Sequence, residues 1–230
     1  MPGFIGVIGN KNYEFENIFT SNDVFMNRET SLENISLAQI TIKKFLNDKV
    51  FKENKDVFIL TEGVILNSLE LIKKYKSSTF FEAINKMYVY NGIDFFKEFR
   101  GSFSGVFYDK KEDILVIFTD QIGDKQIFFS KSKKSLVFGS EINYITNYYQ
   151  KSQESYSLNV EAAYHLLTFG YLLENETLFD RIYKLNAGHY MVYKKGKMNI
   201  VQYHRFDNTP DYNQKEEEIV NNIDKLFRQA

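Results

Sequence analysis

The run ILVIFTD at 114–120 constrains this chain more than any other stretch. A strand with one wet face alternates apolar and polar residues. Here Ile114, Leu115, Val116, Ile117 and Phe118 are all apolar, so both faces of the strand must be covered. Such a strand belongs inside a sheet packed on both sides, and the rest of the chain must supply the covering layers. Further β-rich runs adjoin it: SFSGVFYD (102–109), QIFFS (126–130) and LVFG (136–139). Polar turns DKKED, QIGDK and KSKK separate them, and the whole reads as a four-strand meander.

The covering layers are readable as helices. NSLELIKKYK (67–76) has Asn67 or Ser68 as cap, apolar Leu69, Ile72 and Tyr75, and lysines in its last turn. TFFEAINKMYVY (79–90) opens with Thr79 and Glu82 as a capping box. A short helix fits 92–99, and others fit 141–149 and 159–171, the last capped by Asn159. A β-rich run at 56–61 is followed by a turn or bulge at Glu62-Gly63 and by VIL at 64–66, and two strands flank the turn Lys195-Gly196. Strands among helix groups make the class α+β, in layers.

The first residues, MPGFIGVIGN, read as a buried strand at the extreme N-terminus. Gly3, Gly6 and Gly9 would let another backbone or a ligand approach it closely. The helix at 214–230 is charged and amphipathic and has no C-cap glycine. That pattern fits a chain cut from something longer, and also fits an ordinary C-terminal helix.

Composition excludes several functions. With 29 Lys+Arg against 30 Asp+Glu there is no basic excess for a nucleic-acid surface. No apolar run is long enough for a membrane span, and no secretory signal is present at the start. Cysteine is absent, which rules out disulfides, thiolate metal sites and a cysteine nucleophile, and fits a cytoplasmic setting. His165, His189 and His204 lack metal-ligand spacing, and the G-x-x-x-x-G-K-[ST] phosphate loop is missing.

Several segments, in order and at matching spacing, carry a resemblance. They are MPGFIGVIG, EGVILN (62–67), EFRGSFSGVFYDKKEDILVIFTDQIGDKQIFF (98–129), LVFGSEINYI (136–145) and LTFGYLLENETLFDRIYKLNAGHYMVYKKGKMNIVQYH (167–204). Together they resemble the N-terminal glutaminase domain of asparagine synthetases, a branch of the class II glutamine amidotransferases. The resemblance implies the N-terminal-nucleophile hydrolase fold, a four-layer αββα sandwich with two antiparallel sheets. In that family Met1 is removed and the Cys that follows attacks glutamine's side-chain amide, with its own α-amine as base.

Here Pro2 stands at the nucleophile position, and a proline side chain has no nucleophilic atom. Loss of Met1 would leave a secondary amine, which we read as inert toward an amide. The family's oxyanion donors are an Asn side chain and a Gly N–H. The matching residues are Glu62 and Gly63, and a carboxylate repels a developing oxyanion where a donor would be worth roughly 3–4 kcal/mol. The family's carboxylate-binding Arg lies in the strand matching 35–44, where only Lys43 or Lys44 could stand in, without the bidentate fork. The family's amine-binding Asp matches Phe80. Pro2, Gly3, Glu62, Gly63, Asn67 and Phe80 are therefore expected to form a degenerate glutamine pocket with no catalytic residue and no metal.

By the same resemblance, residues 1–208 are the glutaminase-like domain, and 209–230 are a linker and the start of a helix leading to an ATP-dependent synthetase domain. ATP and Mg are expected in that domain and no cofactor in this one. Relatives without the Cys include β-lactam synthetases and lasso peptide cyclases, whose substrates carry their own amine. The expected role is an inactive scaffold domain of such an amide-forming enzyme. Its expected partner is the synthetase domain, a precursor peptide in the cyclase case, or a second copy in a homodimer. The alternatives are a working glutaminase domain of an asparagine synthetase and a free-standing binding or regulatory module.

Overall fold

The computed structural model describes residues 2–9, 13–15, 25–43, 49–132 and 135–229. Met1, Lys44 and the 133–134 part of the KSKK turn lie outside the described residues. One six-stranded antiparallel sheet contains β1 (Gly3–Ile8), β2 (Phe25–Leu32), β3 (Ile35–Ile42), β8 (Phe128–Lys131), β9 (Leu136–Gly139) and β10 (Tyr183–Lys184), in the order β10-β8-β9-β1-β3-β2. The other contains β4 (Phe51–Glu53), β5 (Val57–Ile65), β6 (Gly101–Asp109), β7 (Ile114–Thr119), β11 (His189–Lys194) and β12 (Lys197–Gln202), in the order β12-β11-β7-β6-β5-β4.

The predicted meander is corrected here. β6 and β7 pair in the second sheet, while β8 and β9 pair in the first. The chain crosses from sheet to sheet through residues 120–127. Local sequence favours hairpins but does not say which sheet a hairpin joins. A second correction concerns Glu62-Gly63, where β5 runs unbroken and pairs with β6 along its whole length. Gly63 is required in that register, with φ +93 and a Cβ that would sit 2.1 Å from the Ser102 carbonyl oxygen.

Alternation along the strands builds three apolar layers. Between the sheets lie Phe4, Leu37, Phe58, Leu60, Val106, Ile117, Phe138 and Met191. Gly6 is there because the Phe138 ring covers it; a Cβ would meet that ring at 2.2 Å. The close approach its glycine allows is thus by a side chain.

The outer face of the second sheet, with Ile59, Phe107, Val116 and Phe118, is covered by α1 (Ser68–Lys74), α2 (Phe80–Asn91) and the 3-10 turn Gly92–Glu98. Phe118 and Phe96 stack there with centroids 4.7 Å apart. The outer face of the first sheet, with Ile5, Val7, Ala38 and Val137, is covered by α3 (Ile142–Lys151) through Tyr144, Ile145, Tyr148 and Tyr149. The layers therefore run helix, sheet, sheet, helix, and β7 is covered on both faces as its sequence requires.

Caps follow the sequence in part. Thr79 accepts from the Glu82 N–H, while the Glu82 carboxylate reaches one residue further back, to Ser78 N and Oγ. Asn159 accepts from Ala162 N at the head of α4 (Val160–Phe169). Asn67 precedes α1 without capping it through its side chain, which bridges Glu98 O and Arg100 N instead. The final helix α5 (Glu216–Gln229) leaves Ile219, Ile223, Leu226 and Phe227 exposed.

Candidate functional site

At one end of the sandwich the inner faces of both sheets change from apolar to polar. On β5 the inward series Phe58, Leu60 continues to Glu62, and on β6 Tyr108, Val106 continues to Ser104. On β3 Ile35, Leu37 continues to Gln39 and Thr41, and on β7 Leu115, Ile117 continues to Thr119. Period-two geometry keeps each set on one face, so the five polar side chains fall between the sheets. All five are buried. A cleft of about 680 Å³ opens there, lined by residues that include Pro2, Lys49, Glu62, Gly63, Ser102, Ser104, Asp124, Lys125, Ser140 and Glu141.

Two anchors shape its rim. Ser140 Oγ accepts from Phe4 N at 2.9 Å and Ser140 N donates to Phe4 O at 3.0 Å, pinning the start of β1 and bringing Pro2 to the cleft. Asp120 is fully buried in the crossing loop. Its carboxylate accepts from the N–H groups of Phe103 (3.2 Å), Ile122 (3.0 Å), Asp124 (3.1 Å) and Lys125 (3.1 Å). Those bonds fold the loop so that Asp124, Lys125 and Gln126 line the cleft.

Glu62 is the central charge. Its carboxylate accepts from Gln39 Nε2 at 3.1 Å and lies 3.5 Å from Lys49 Nζ, with both side chains of the ion pair only 9% exposed. Burial pushes its pKa above the ordinary value; Lys49, the Gln39 amide and the Gly63 backbone pull it back only in part.

Of the residues singled out from sequence, the fold brings Pro2, Glu62 and Gly63 to one cleft. Gly3 lies just beneath, where a Cβ would collide with Ser140 Oγ at 2.1 Å. Asn67 and Phe80 are not among the cleft-lining residues. Asn67 ties down the segment before β6, and Phe80 packs on Phe99, ring to ring at 5.5 Å. Among the described residues the cation beside Glu62 is Lys49, and Lys43 is exposed at the end of β3.

Gln39, Lys49 and Ser104 were not singled out from sequence. A polar residue inside the apolar patterns ISLAQITI and SFSGVFYD was the available signal for Gln39 and Ser104. Lys49 carries no such signal in the sequence.

Chemically the cleft holds hydroxyls and charges of both signs. Ser102 donates to Asp124. None of the three histidines lines the cleft: His165 pairs with Glu176 at 2.9 Å, His189 contacts Ala187 O, and the His204 ring packs on Phe206. A serine nucleophile there has no imidazole base. Among the described residues no group of three or more His, Cys, Asp or Glu could hold a metal, and no helix is long and apolar enough to cross a membrane.

Comparisons with known proteins bear on the family and the fold. The glutamine amidotransferase domain family matches residues 20–204. A Methanocaldococcus jannaschii protein assigned as a glutamine-hydrolysing asparagine synthetase is 26% identical over 164 residues, which is 70% of this chain and 32% of that protein. A Bacillus subtilis glutamine-hydrolysing asparagine synthetase is 26% identical over 152 residues, or 60% of this chain and 20% of that protein. The chain thus spans a third or less of the length of these relatives. Among solved structures, glutamine phosphoribosylpyrophosphate amidotransferase from B. subtilis superposes with a TM-score of 0.57 at 8% identity, covering 90% of this chain and 50% of that one. At that identity the likeness concerns the fold, the N-terminal-nucleophile sandwich.

Proposed function

The chain belongs to the glutamine amidotransferase domain family, similar to the N-terminal domains of asparagine synthetases, and from that premise we propose that it is a member without glutaminase chemistry. The observation that carries the reading is the meeting of Pro2 and Glu62 in one cleft. Where the family needs a nucleophile there is a pyrrolidine ring. Where an amide oxygen would gather negative charge there is a buried carboxylate already held by Lys49 and Gln39. Such a carboxylate raises the energy of an oxyanion rather than lowering it.

In this reading the domain acts as a scaffold for an ATP-dependent, amide-forming synthetase domain of the peptide cyclase or lactam synthetase type. ATP and Mg would bind in that partner. Two features support a partner domain: the relatives extend well beyond the matched region, and α4 and α5 leave Tyr164, Leu167, Ile223 and Phe227 exposed. Exposed apolar rows of this kind are surfaces that another domain covers.

The test is the Pro2→Cys variant, assayed for ammonia release from glutamine. The reading predicts silence, because the nucleophile alone does not rebuild the oxyanion site or the glutamine ligands. Turnover in Pro2→Cys would show that only the nucleophile was lost, and would overturn the wider claim.

A further inference from the structure

Among the described residues the two sheets end on β10, β2, β12 and β4, and three of these edges are blunted. β10 has two residues. β4 has three, with Lys52 and Glu53 among them. β2 is longer but carries Arg28 and Glu29 at its centre. Short length and central charge keep a sheet edge from pairing with another chain. β12 has neither protection. It is six residues long, KMNIVQ, and its single charge, Lys197, stands at its first position. Among the described residues it pairs with β11 alone.

The direction of its backbone groups follows from the hairpin. Lys194 and Lys197 flank the turn Lys195-Gly196, whose φ values of +49 and +77 are both positive, as in a type I′ turn. The residues that close such a turn bond to each other, and bonding alternates along the ladder from there. Lys197, Asn199 and Val201 thus face β11. The next in that series, Tyr203, donates its N–H to Gly188 O at 2.8 Å. Met198, Ile200 and Gln202 turn their N–H and C=O groups to the open edge. Met198 packs on the core between the sheets, and Ile200, on the same face, is exposed.

We infer that β12 is a dimerisation edge. Two copies of the chain pair their β12 strands antiparallel about a two-fold axis at Ile200, which joins their second sheets into one continuous sheet. In this register Ile200 stands opposite its own copy, Met198 opposite Gln202, and Lys197 opposite Tyr203. The outward residues exchange about six backbone hydrogen bonds. The β-branched pair at the axis covers the exposed Ile200, and no like charges meet. A two-fold contact needs one self-complementary patch, and an antiparallel edge of this charge pattern supplies it.

Sedimentation velocity of the full chain over a concentration series tests the inference, with 1H–15N amide exchange at both ends of the series. A monomer–dimer equilibrium is expected, with exchange slowed on dimerisation at Met198, Ile200 and Gln202. Ile200→Lys places two ammonium groups face to face at the axis and should weaken the dimer by at least about tenfold. Ile200→Pro removes an outward N–H and leaves the bonds to β11 in place, so it should be folded and monomeric; it serves if the Lys variant does not fold. Leu226→Lys, on the exposed apolar row of α5, should leave the dimer unchanged. A monomer at every concentration, a dimer indifferent to both Ile200 changes, or a dimer lost in Leu226→Lys would overturn the inference.

Discussion

Gln39 Nε2 donates to Glu62 Oε2 across 3.1 Å, joining the inner face of one sheet to the inner face of the other. The bond marks where the sandwich stops being a hydrocarbon core and becomes a polar cleft. On the apolar side of this pair lie Phe4, Leu37, Leu60 and Val106; on the open side lie Pro2, Ser104 and Lys49.

The Glu62 carboxyl titrates above the ordinary carboxylate range, because burial outweighs Lys49 and the two hydrogen-bond donors. A folded-state pKa above the unfolded one means that this group favours folding below the unfolded value, and that the contribution is lost as pH rises through the folded pKa. Replacing Lys49 with Met removes the largest opposing influence, so the Glu62 pKa should climb further. A carboxyl-detected 13C NMR titration of wild type and Lys49→Met checks both shifts. A Glu62 pKa at or below the model-peptide value would contradict the described environment.

Asp120→Ala removes the acceptor of four backbone N–H bonds in a fully buried loop base. The expected loss is about 2–4 kcal/mol of unfolding free energy, from unsatisfied buried donors and a charge-assisted network. Urea denaturation measures it. Local exchange broadening at Asp124 and Lys125 should accompany it, since those residues depend on Asp120 for their place.

Gly63→Ala combines a left-handed backbone with a backbone collision at Ser102 O. It should destabilise by more than about 1–2 kcal/mol, the usual cost of a strained αL side chain, and should disturb the β5–β6 register near the cleft. A thermal shift assay with amide chemical shifts of residues 62–64 and 102–104 reports both effects.

Phe118→Ala opens the outer core. Phe118 stacks on Phe96 and also meets Phe95, Phe99 and Phe103. A loss of about 3–5 kcal/mol is expected. Removing the Thr79 hydroxyl at the head of α2 should cost only about 1 kcal/mol. The ratio of the two, from denaturant midpoints, tests whether the aromatic layer rather than the helix caps holds the helices to the sheet.

The strands with strong patterns were readable from sequence. β1, β6, β7 and β9 stand close to where alternation or unbroken apolar runs put them, β3 lies where the family resemblance put it, and α2 and α4 start at Thr79 and Asn159 as their cap chemistry requires. β2 was missed because FMNRETSL is polar for a strand: among the described residues it lies at a sheet edge and pairs with β3 alone. β4 and β10, with Phe51–Glu53 and Tyr183–Lys184, are too short to show a period. The sheet assignment of β8 and β9 was unreadable because it depends on the Asp120 loop. Of the cleft, Pro2, Glu62 and Gly63 came from motif order. Gln39 and Ser104 come from the inward face of strands whose facing is fixed only once both sheets are packed. Asn67 and Phe80 sit in the matched motifs, yet here one bridges a loop and the other fills the aromatic core.

The most direct measurement is glutamine hydrolysis by the wild-type chain, with ammonia and glutamate followed together against a protein-free blank. The account predicts no release of either product above the blank at any glutamine concentration. Stoichiometric, saturable release of both would contradict it, because no side chain at the Pro2 position could then be called idle.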